Sequence, residues 1–386
     1  MVKTIGECFF QIQNGANIKQ GDVNGGYPIT RIETTANDRF NRDRMGYAGI
    51  TDISNYKSYI LEDGDLLMSH INSIQYLGRT VLYVKRDNET IIHGMNLLRL
   101  RAKRDIINPA YARYYFYGHQ FRRQIRKITK KSVNQASFAV KDLKQIEIDI
   151  PTLEEQEQLV KILDKNQKII ELKKLELSTL DNLVKARFVE MFDDIKDICE
   201  VGYYIRSLTA GKSFAGEMEC ENKVLKTGAV SFDYFDATQV KNLPFDYEPQ
   251  PEHLVNTGDV IISRMNTAEL TGAAAYVWDV HENVYLPDRL WKANLNDECN
   301  PVFVWQMLIQ PSTKNQIRRE CSGTSGSMKN ISKSGMLAVK VKKVSYELQN
   351  VFADFVKQVD KSKAVIEKSL KELETLQASL MQEYFS

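Results

Sequence analysis

Two polar loops in the first half of the chain carry the side chains that base recognition requires. Asparagine and glutamine match the edge of adenine in the major groove of DNA, and serine adapts to several bases. Lysines beside them can neutralise phosphates. The candidate DNA-binding residues of these loops are Ser69, His70, Asn72, Lys130, Lys131, Asn134 and Gln135.

Two loops in the second half stand at corresponding positions but differ in content. Their candidate residues are Ser263, Arg264, Asn266, Ser325, Ser327, Lys329 and Asn330. Arg264 stands where the first half has His70, and arginine pairs with guanine. The two halves are therefore predicted to read different bases, although a solvated surface role stays open for any single residue.

Basic residues lie before the second loop of each half. They are Arg122, Arg123 and Arg126 in the first half and Arg318 and Arg319 in the second. Residues 119–150 hold 8 basic and 3 acidic side chains, and residues 312–343 hold 8 and 1. The whole halves differ, because residues 1–150 have a net charge of +8 and residues 193–344 a net charge of −3. The local clusters, rather than the total charge, predict phosphate contacts.

Three motifs that suggest catalysis each lack a required residue. Asn108-Pro109-Ala110-Tyr111 resembles the base-gripping box of adenine methyltransferases but has no second proline. Gly211-Lys212-Ser213 resembles the end of a phosphate-binding loop, yet Arg206 stands where glycine is required. Pro287-Asp288 with Lys292 weakly resembles a nuclease site, but Leu290 occupies the acidic position. The five scattered cysteines include no Cys-x-x-Cys pair. The sequence thus predicts no catalytic residues and no metal site.

The candidate loops belong to a unit that occurs twice. Residues 64–72 recur as 258–266, and Asn108-Pro109 recurs as Asn300-Pro301. Glu154-Glu155-Gln156 recurs as Glu347-Leu348-Gln349. The offset stays between 192 and 194 residues, which indicates duplication with small loop changes.

Each unit has the same predicted order of elements. A Gly-Asp turn precedes a strand and a polar loop, and Asn-Pro then starts a helix. A second polar loop leads to a strand over residues 145–150 or 337–341, and short β-type runs occur at 81–84 and 91–92. This alternation predicts mixed α/β domains.

A long amphipathic helix ends each unit. Counting every 3.5 residues from Leu159 to Met191 gives seven apolar positions out of ten, and counting from Phe352 to Tyr384 gives eight. Such spacing is typical of a coiled-coil seam. We expect the two helices to pack on each other as an antiparallel pair, whereas the alternative places each helix across its own domain.

The predicted fold class is α+β. Two similar mixed α/β domains are separated by two long helices that form an antiparallel coiled coil, with an internal pseudo-twofold repeat. The predicted boundaries are 1–150 for the first domain, 151–192 for the first helix, 193–344 for the second domain and 345–386 for the second helix. Since no apolar run reaches the ~20 residues of a membrane span and no secretory signal is evident, we expect a cytoplasmic protein without membrane contact.

The chain resembles the specificity (S) subunit of type I restriction-modification enzymes. The resemblance is carried by the Gly-Asp turns at 64–69 and 258–263, the two Asn-Pro helix starts and the junction at 151–156. The second copy departs from this pattern at 343–349, which contains no proline.

The resemblance implies that each domain is a target-recognition domain for one half of a bipartite, asymmetric DNA site. The implied partners are double-stranded DNA, two methyltransferase (modification) subunits and motor-nuclease (restriction) subunits. The chain itself would be non-catalytic and bind no cofactor, while its partners would use S-adenosylmethionine, ATP and Mg²⁺. Two alternatives stay open: a stand-alone DNA methyltransferase or nuclease with drifted motifs, and a coiled-coil adaptor that does not bind DNA.

Overall fold

The computed structural model describes residues 1–21, 25–132, 135–322 and 328–386. They form two compact units. Unit 1 comprises Met1–Lys174 together with Lys368–Ser386, and unit 2 comprises Leu175–Glu367. Each unit therefore contains a globular part and a segment of each long helix.

Unit 1 contains short strands and mostly short helices. Its strands are β1 (Val2–Thr4), β2 (Phe9–Asn14), β3 (Leu66–Ser69), β4 (Ile71–Asn72), β5 (Thr80–Leu82), β6 (Leu97–Ala102), β7 (Lys130–Lys131), β8 (Ala136–Ser137) and β9 (Glu147–Asp149). Its helices are α1 (Ile5–Cys8), α2 (Pro109–Tyr117), α3 (His119–Ile128), α4 (Val140–Lys144) and the first part of α5 (Leu153–Phe192).

Unit 2 repeats this arrangement and adds further strands. Its strands are β10 (Ile198–Glu200), β11 (Ile205–Ala210), β12 (Lys223–Leu225), β13 (Val240–Asn242), β14 (Val260–Ser263), β15 (Met265–Asn266), β16 (Ala274–Tyr276), β17 (Val284–Tyr285), β18 (Leu290–Leu295), β19 (Lys329–Asn330) and β20 (Lys340–Lys342). Its helices are α6 (Pro301–Leu308), α7 (Pro311–Glu320), α8 (Lys333–Ala338) and the first part of α9 (Tyr346–Phe385).

An antiparallel sheet with the same strand order lies at the centre of each unit. The order is β2–β6–β3–β5 in unit 1 and β11–β18–β14–β16 in unit 2. A separate antiparallel pair, β1–β9 or β10–β20, joins the first and last strands of each unit. Unit 2 also contains the sheet β13–β12–β17. The topology confirms the internal repeat.

The repeated Gly-Asp turn leads into an inner strand of each sheet. Gly64 and Gly258 have φ angles of +87° and +98°, a region that glycine enters without the steric cost of a Cβ atom. The next residue, Asp65 or Asp259, accepts a hydrogen bond from the backbone amide three residues upstream, at 2.7 Å and 2.8 Å. Both residues of the motif are thus required by the turn.

Both Asn-Pro pairs begin a helix, as predicted. Asn108 Oδ1 accepts a hydrogen bond from the backbone amide of Ala110 at 2.8 Å, and Asn300 Oδ1 accepts one from Val302 at 3.0 Å. Proline follows at the first helical position, where a backbone donor is not needed. The motif therefore has a structural explanation in both units.

The two long helices each contain 40 residues, and their segments run antiparallel within each unit. In unit 1, Asn166 Nδ2 donates to Gln377 Oε1 at 2.8 Å and to the Leu373 carbonyl at 3.1 Å. In unit 2, Lys363 Nζ lies 2.7 Å from Asp181 Oδ1, and the Phe188 and Phe352 rings are 5.4 Å apart. Within each unit, residue numbers increase along one helix segment while those of the contacting residues on the other segment decrease.

The helix segments also pack against the globular parts. Leu159 and Leu163 of α5 belong to the core of unit 1, together with Phe385 at the end of α9. Phe192, at the end of α5, lies in the core of unit 2 with Phe352. In each unit, the helix segments therefore pack both on each other and on the globular part, so the two predicted arrangements are combined.

Several predicted boundaries were wrong. The strand predicted over 337–341 begins only at Lys340, because α8 continues to Ala338. Ser332 caps the start of this helix by accepting a hydrogen bond from the Gly335 amide at 2.9 Å. The strand predicted over 145–150 is shorter, Glu147–Asp149. The run at 81–84 corresponds to β5, which spans Thr80–Leu82, and in the run at 91–92 only Ile92 takes part in isolated bridges.

The predicted seam also ends one residue too early. Tyr384 is 45% exposed, whereas Phe385 is 1% exposed. An α-helix has 3.6 rather than 3.5 residues per turn, so a strict heptad count drifts around the helix. In the part of the chain that the structure describes, no helix has both the length and the apolar character needed to cross a membrane.

Candidate nucleic-acid interface

The two polar loops of unit 1 are brought together by short strands. In the register of β4 and β8, Ile71 pairs with Ser137 and Asn72 with Ala136. β7, which contains Lys130 and Lys131, pairs with the other edge of β8. Loops about 60 residues apart in the chain therefore form one surface element, which the sequence pattern alone did not place.

Ser69 and Asn72 hold the first loop in shape. Ser69 is fully buried, and its Oγ accepts a hydrogen bond from Asn72 Nδ2 at 3.2 Å. Asn72 Oδ1 accepts a second one from the Ser73 amide at 2.8 Å. These polar groups are therefore partly used within the loop.

His70 is nearly buried between these two residues. Its exposed fraction is 6%, and its ring lies 6.3 Å from that of Phe138. Burial lowers the pKa of His70 to about 4, since the charged imidazolium loses hydration. Within the described residues, Nδ1 has no hydrogen-bond partner. His70 is thus a neutral imidazole at physiological pH.

The predicted basic residues of unit 1 fall into two kinds. Arg123 and Arg126 on α3 are exposed, as are Lys130, Lys131 and Gln135 beside the second loop. Arg122 is half-buried instead; its Nη1 donates to the Leu77 carbonyl at 2.8 Å, and its guanidinium lies over the Tyr117 ring. Burial lowers the pKa of Arg122. Asn134 lies outside the described residues.

The loops of unit 2 meet in the same way. Met265 of β15 pairs with Asn330 of β19, and Asn266 pairs with Lys329. Asn266 Oδ1 accepts a hydrogen bond from the Thr267 amide at 2.9 Å, as Asn72 does with its own neighbour. Ser325 and Ser327 lie outside the described residues.

The remaining predicted residues of unit 2 surround this strand pair. Ser263 is fully buried at the end of β14. Arg264 follows it and lies over the ring of Trp291. Arg318 and Arg319 are exposed on α7, and Arg318 Nη2 donates to the Glu269 carbonyl at 3.1 Å.

The sequence analysis missed an arginine-rich cleft in unit 1. Arg39, Arg42 and Arg86 line a cavity of about 570 Å³ together with asparagines from the same segment. Arg42 is paired with Glu89 at 2.6 Å, which lowers the pKa of that carboxyl to about 2. Four arginines between residues 31 and 44 were the available signal, but interspersed acidic residues obscured it.

Arg79 was also missed. Its Nε lies 2.9 Å from Asp38 Oδ1, and the same carboxylate oxygen accepts a hydrogen bond from the Tyr117 hydroxyl at 3.0 Å. This contact joins the arginine-rich segment to the loop that follows β4. A single arginine without a repeated counterpart offers no sequence signal.

The residues of the rejected catalytic motifs have other partners. Lys292 Nζ donates to the Leu254 carbonyl at 2.7 Å and lies 3.7 Å from Asp259 Oδ2. Residues 211–213 follow β11 without starting a helix, and Ser213 bonds to Asp288. Within the described residues, no group of three His, Cys, Asp or Glu side chains is arranged to hold a metal ion.

Comparison with known proteins finds a family model that matches the first part of the chain. Residues 1–182 match the model of the type I restriction modification DNA specificity domain. The chain is 34% identical over 191 residues to the putative type I restriction enzyme MjaX specificity subunit of Methanocaldococcus jannaschii, covering 50% of this chain and 45% of that protein. It is 24% identical over 152 residues to the type I restriction enzyme EcoKI specificity subunit of Escherichia coli, covering 39% and 32%.

A longer alignment joins the chain to a third relative. The type I restriction enzyme MjaVIII specificity subunit of Methanocaldococcus jannaschii is 24% identical over 315 residues, which cover 74% of this chain and 73% of that protein. The alignments with the first two relatives span less than half of their length.

Solved structures share the fold over the full length. A crystal structure of a type I restriction-modification system S subunit from M. genitalium has a TM-score of 0.63 at 15% identity, covering 100% of this chain and 96% of that one. A chain from a study of complex assembly and conformational transition of the type I restriction-modification system has a TM-score of 0.57 at 14% identity, covering 100% and 97%.

Proposed function

We propose that this chain, whose residues 1–182 belong to the type I restriction modification DNA specificity domain family, is the DNA-recognition subunit of a type I restriction-modification complex. Each globular part reads one half of a bipartite, asymmetric site. The observation that carries the proposal is the pairing of two polar loops in both units by equivalent strands, β4–β8 and β15–β19. Because equivalent strand pairs carry different side chains in the two units, we expect the two units to bind half-sites of different sequence.

The exposed basic residues supply affinity in this proposal. Arg123 and Arg126 lie on α3, directly before the second loop of unit 1, and Arg318 and Arg319 occupy the equivalent helix α7. Arginines of this kind bind phosphates and fix the position of a protein on the duplex, while side chains in the groove select bases. The predicted residues Ser69, Asn72 and Asn266 position the loops through their side-chain hydrogen bonds.

The proposed partners follow from the family. Two methyltransferase subunits and the motor-nuclease subunits carry out adenine methylation and restriction, and they use S-adenosylmethionine, ATP and Mg²⁺. This chain contributes recognition without catalysis and binds no cofactor itself. It acts in the cytoplasm, where the DNA and these partners are found.

The long helices act as a spacer in this proposal. Since each helix continues without interruption for 40 residues, a heptad inserted into both helices preserves the seam. With insertions between residues 160 and 185 and at the matching positions of α9, the gap between half-sites changes while both half-sites stay the same. A change in either half-site contradicts the spacer role.

Mapping N6-methyladenine across the genome tests the proposal. Cells with the gene are expected to show methylation at one bipartite motif, and cells without it are expected to lose methylation at that motif only. Unchanged methylation after deletion contradicts the proposal. The isolated chain, incubated with DNA and S-adenosylmethionine or Mg²⁺, is expected to give no product; product formation favours the stand-alone enzyme.

A non-DNA adaptor is the other alternative. The acidic second domain, with its net charge of −3 over residues 193–344, favours it. Affinity for duplex DNA must fall steeply with added salt if phosphate contacts exist. Absence of DNA binding by the assembled complex at low salt favours the adaptor.

A further inference from the structure

Arg264, in the loop pair of unit 2, has a buried Nε that no acceptor pairs with among the described residues. It is half-buried, and its guanidinium carbon lies 5.7 Å from the centre of the Trp291 ring. Buried N–H donors are nearly always paired in folded proteins, so the buried Nε of Arg264 is an unusual arrangement.

The surrounding backbone fixes this position. The Arg264 amide donates to the Arg289 carbonyl at 3.1 Å, and its carbonyl accepts from the Ile331 amide at 3.1 Å. Trp291, which is 1% exposed, lies on β18 opposite Ile262 of β14. A planar ring behind a guanidinium restricts its orientation.

Two further buried polar atoms without partners among the described residues belong to the residue before Arg264 and to the strand paired with β15. Ser263 directly precedes Arg264 in the chain. Its Oγ is buried without a hydrogen-bond partner among the described residues. Asn330 Oδ1, opposite Met265, is buried and unpaired in the same sense. Buried polar groups without partners destabilise a folded protein. Three such atoms, with Arg264 Nε among them, belong to this strand pair and the residues before it, which favours a polar ligand from outside the chain.

The equivalent position of unit 1 indicates what kind of ligand this is. His70 stands in place of Arg264, and Leu98, paired with Met68, stands in place of Trp291. His70 is uncharged at physiological pH because burial lowers its pKa to about 4. A position that served phosphate in both units would carry a cation in both. The strands around this position repeat in both units, but the side chain changes from His70 to Arg264. Such a difference is expected where the two units contact different bases.

We propose that Arg264, oriented by Trp291, reads a guanine in the half-site bound by unit 2. The guanidinium fork of arginine matches O6 and N7 of guanine. This assignment rests on the proposed function and names the residue that determines one base of the site.

Mapping of N6-methyladenine in cells that express full-length variants tests the assignment. In Arg264→Ala and Arg264→Lys, one guanine of one half-site is expected to become degenerate, with discrimination falling roughly 5- to 150-fold, while the other half-site stays unchanged. Lysine keeps the charge but loses the fork. Arg206→Ala, an exposed arginine of the same unit on β11, is the matched control and keeps the motif.

Two results overturn the assignment. One is an unchanged motif with methylation reduced equally at all sites, which indicates a phosphate contact or a structural role. The other comes from binding of the wild-type complex to a duplex in which 7-deazaguanine replaces that guanine. Loss of N7 is expected to weaken binding of the wild type, and unaltered binding contradicts base reading even where a variant fails to fold.

Different results would contradict the proposed function and the role of Arg264. If the wild-type gene directs no methylation at a bipartite motif, the proposed function is wrong and the assignment falls with it. If the bipartite motif is present and substitution of Arg264 changes the requirement for none of its guanines, only the assignment is wrong.

Discussion

Gln156 Oε1 accepts a hydrogen bond from the backbone amide of Asn108 at 2.8 Å, which joins the start of α5 to the start of α2. Gln349 does the same for Asn300 at 2.9 Å in unit 2. Both glutamines are buried, with exposed fractions of 0% and 1%. Two motifs that repeat along the chain are thus in contact with each other in each unit.

Replacement of these glutamines is expected to destabilise the unit concerned. Gln156→Ala leaves the Asn108 amide unsatisfied and removes donors to the Ile106 and Pro151 carbonyls, so the free energy of unfolding falls by about 1–3 kcal/mol. Denaturant titration measures the loss. The matched control is Gln158→Ala, which alters an exposed residue of the same helix; equal losses in both variants contradict the role given to Gln156.

The seam between the helices contains a polar pair. Asn166, which is 5% exposed, bonds to Gln377 within unit 1. Asn166→Leu alone is expected to destabilise the protein by about 1–2 kcal/mol because it leaves Gln377 with a lost partner. Adding Gln377→Leu restores much of the loss, since both positions are then apolar. Strictly additive effects in this double-mutant cycle, measured by denaturant unfolding, contradict coupling.

Acid is expected to destabilise unit 1 through His93. Burial, followed by the charge of Arg99, lowers its folded pKa to about 3, against about 6.5 in the unfolded chain. The unfolded state therefore binds the proton more readily, and the stability present above pH 6.5 is lost as the pH falls towards 3. Between pH 7 and pH 5 this loss is on the order of 1–2 kcal/mol.

A histidine variant separates this effect from the titration of carboxylates. Unfolding of His93→Gln is expected to depend less on pH between 7 and 5 than unfolding of the wild type. The exposed His281→Gln serves as the control. The interpretation fails if all three proteins show the same difference in unfolding free energy between the two pH values.

Exposed and half-buried arginines of α3 are expected to behave differently. Removing Arg123 and Arg126 together should reduce the slope of log K against log salt by about 2, at about 0.9 per lost phosphate contact, without changing the preferred sequence. Arg122→Ala should instead lower stability, because its Nη1 bonds to the Leu77 carbonyl. Binding titrations of the assembled complex across salt concentrations, with exposed Lys57→Ala as control, measure the slopes. Identical slopes for the double variant and the wild type contradict phosphate binding by α3.

The sequence predicted the elements whose determinants are local. The Asn108 and Asn300 caps act within three residues, and the Gly64 and Gly258 turns depend on their own φ angles. Periodicity was sufficient for the long helices, although the count drifted by one residue at Phe385. The site was predicted less completely. Pairing of Asn72 with Ala136, and of Asn266 with Lys329, depends on tertiary register that a linear pattern does not contain.

The same limitation applies to the surroundings of the predicted arginines. Arg122 and Arg123 are neighbours of one type, yet the helix turns one inward and the other to solvent. The stacking of Arg264 on Trp291 joins residues 27 positions apart across β14 and β18. Only the sheet brings them together, so composition around either residue gave no signal.

Exchange of the first globular domain tests the central claim, that each domain recognises one half-site, most directly. Residues 1–150 are replaced by the equivalent domain of a specificity subunit with a known target, and N6-methyladenine is mapped in cells that express the chimera with the proposed methyltransferase subunits. The account predicts that one half-site changes to that of the donor while the other half-site and the gap remain. A simultaneous change of both half-sites, or a change of neither, would contradict the claim that the two domains recognise their half-sites independently.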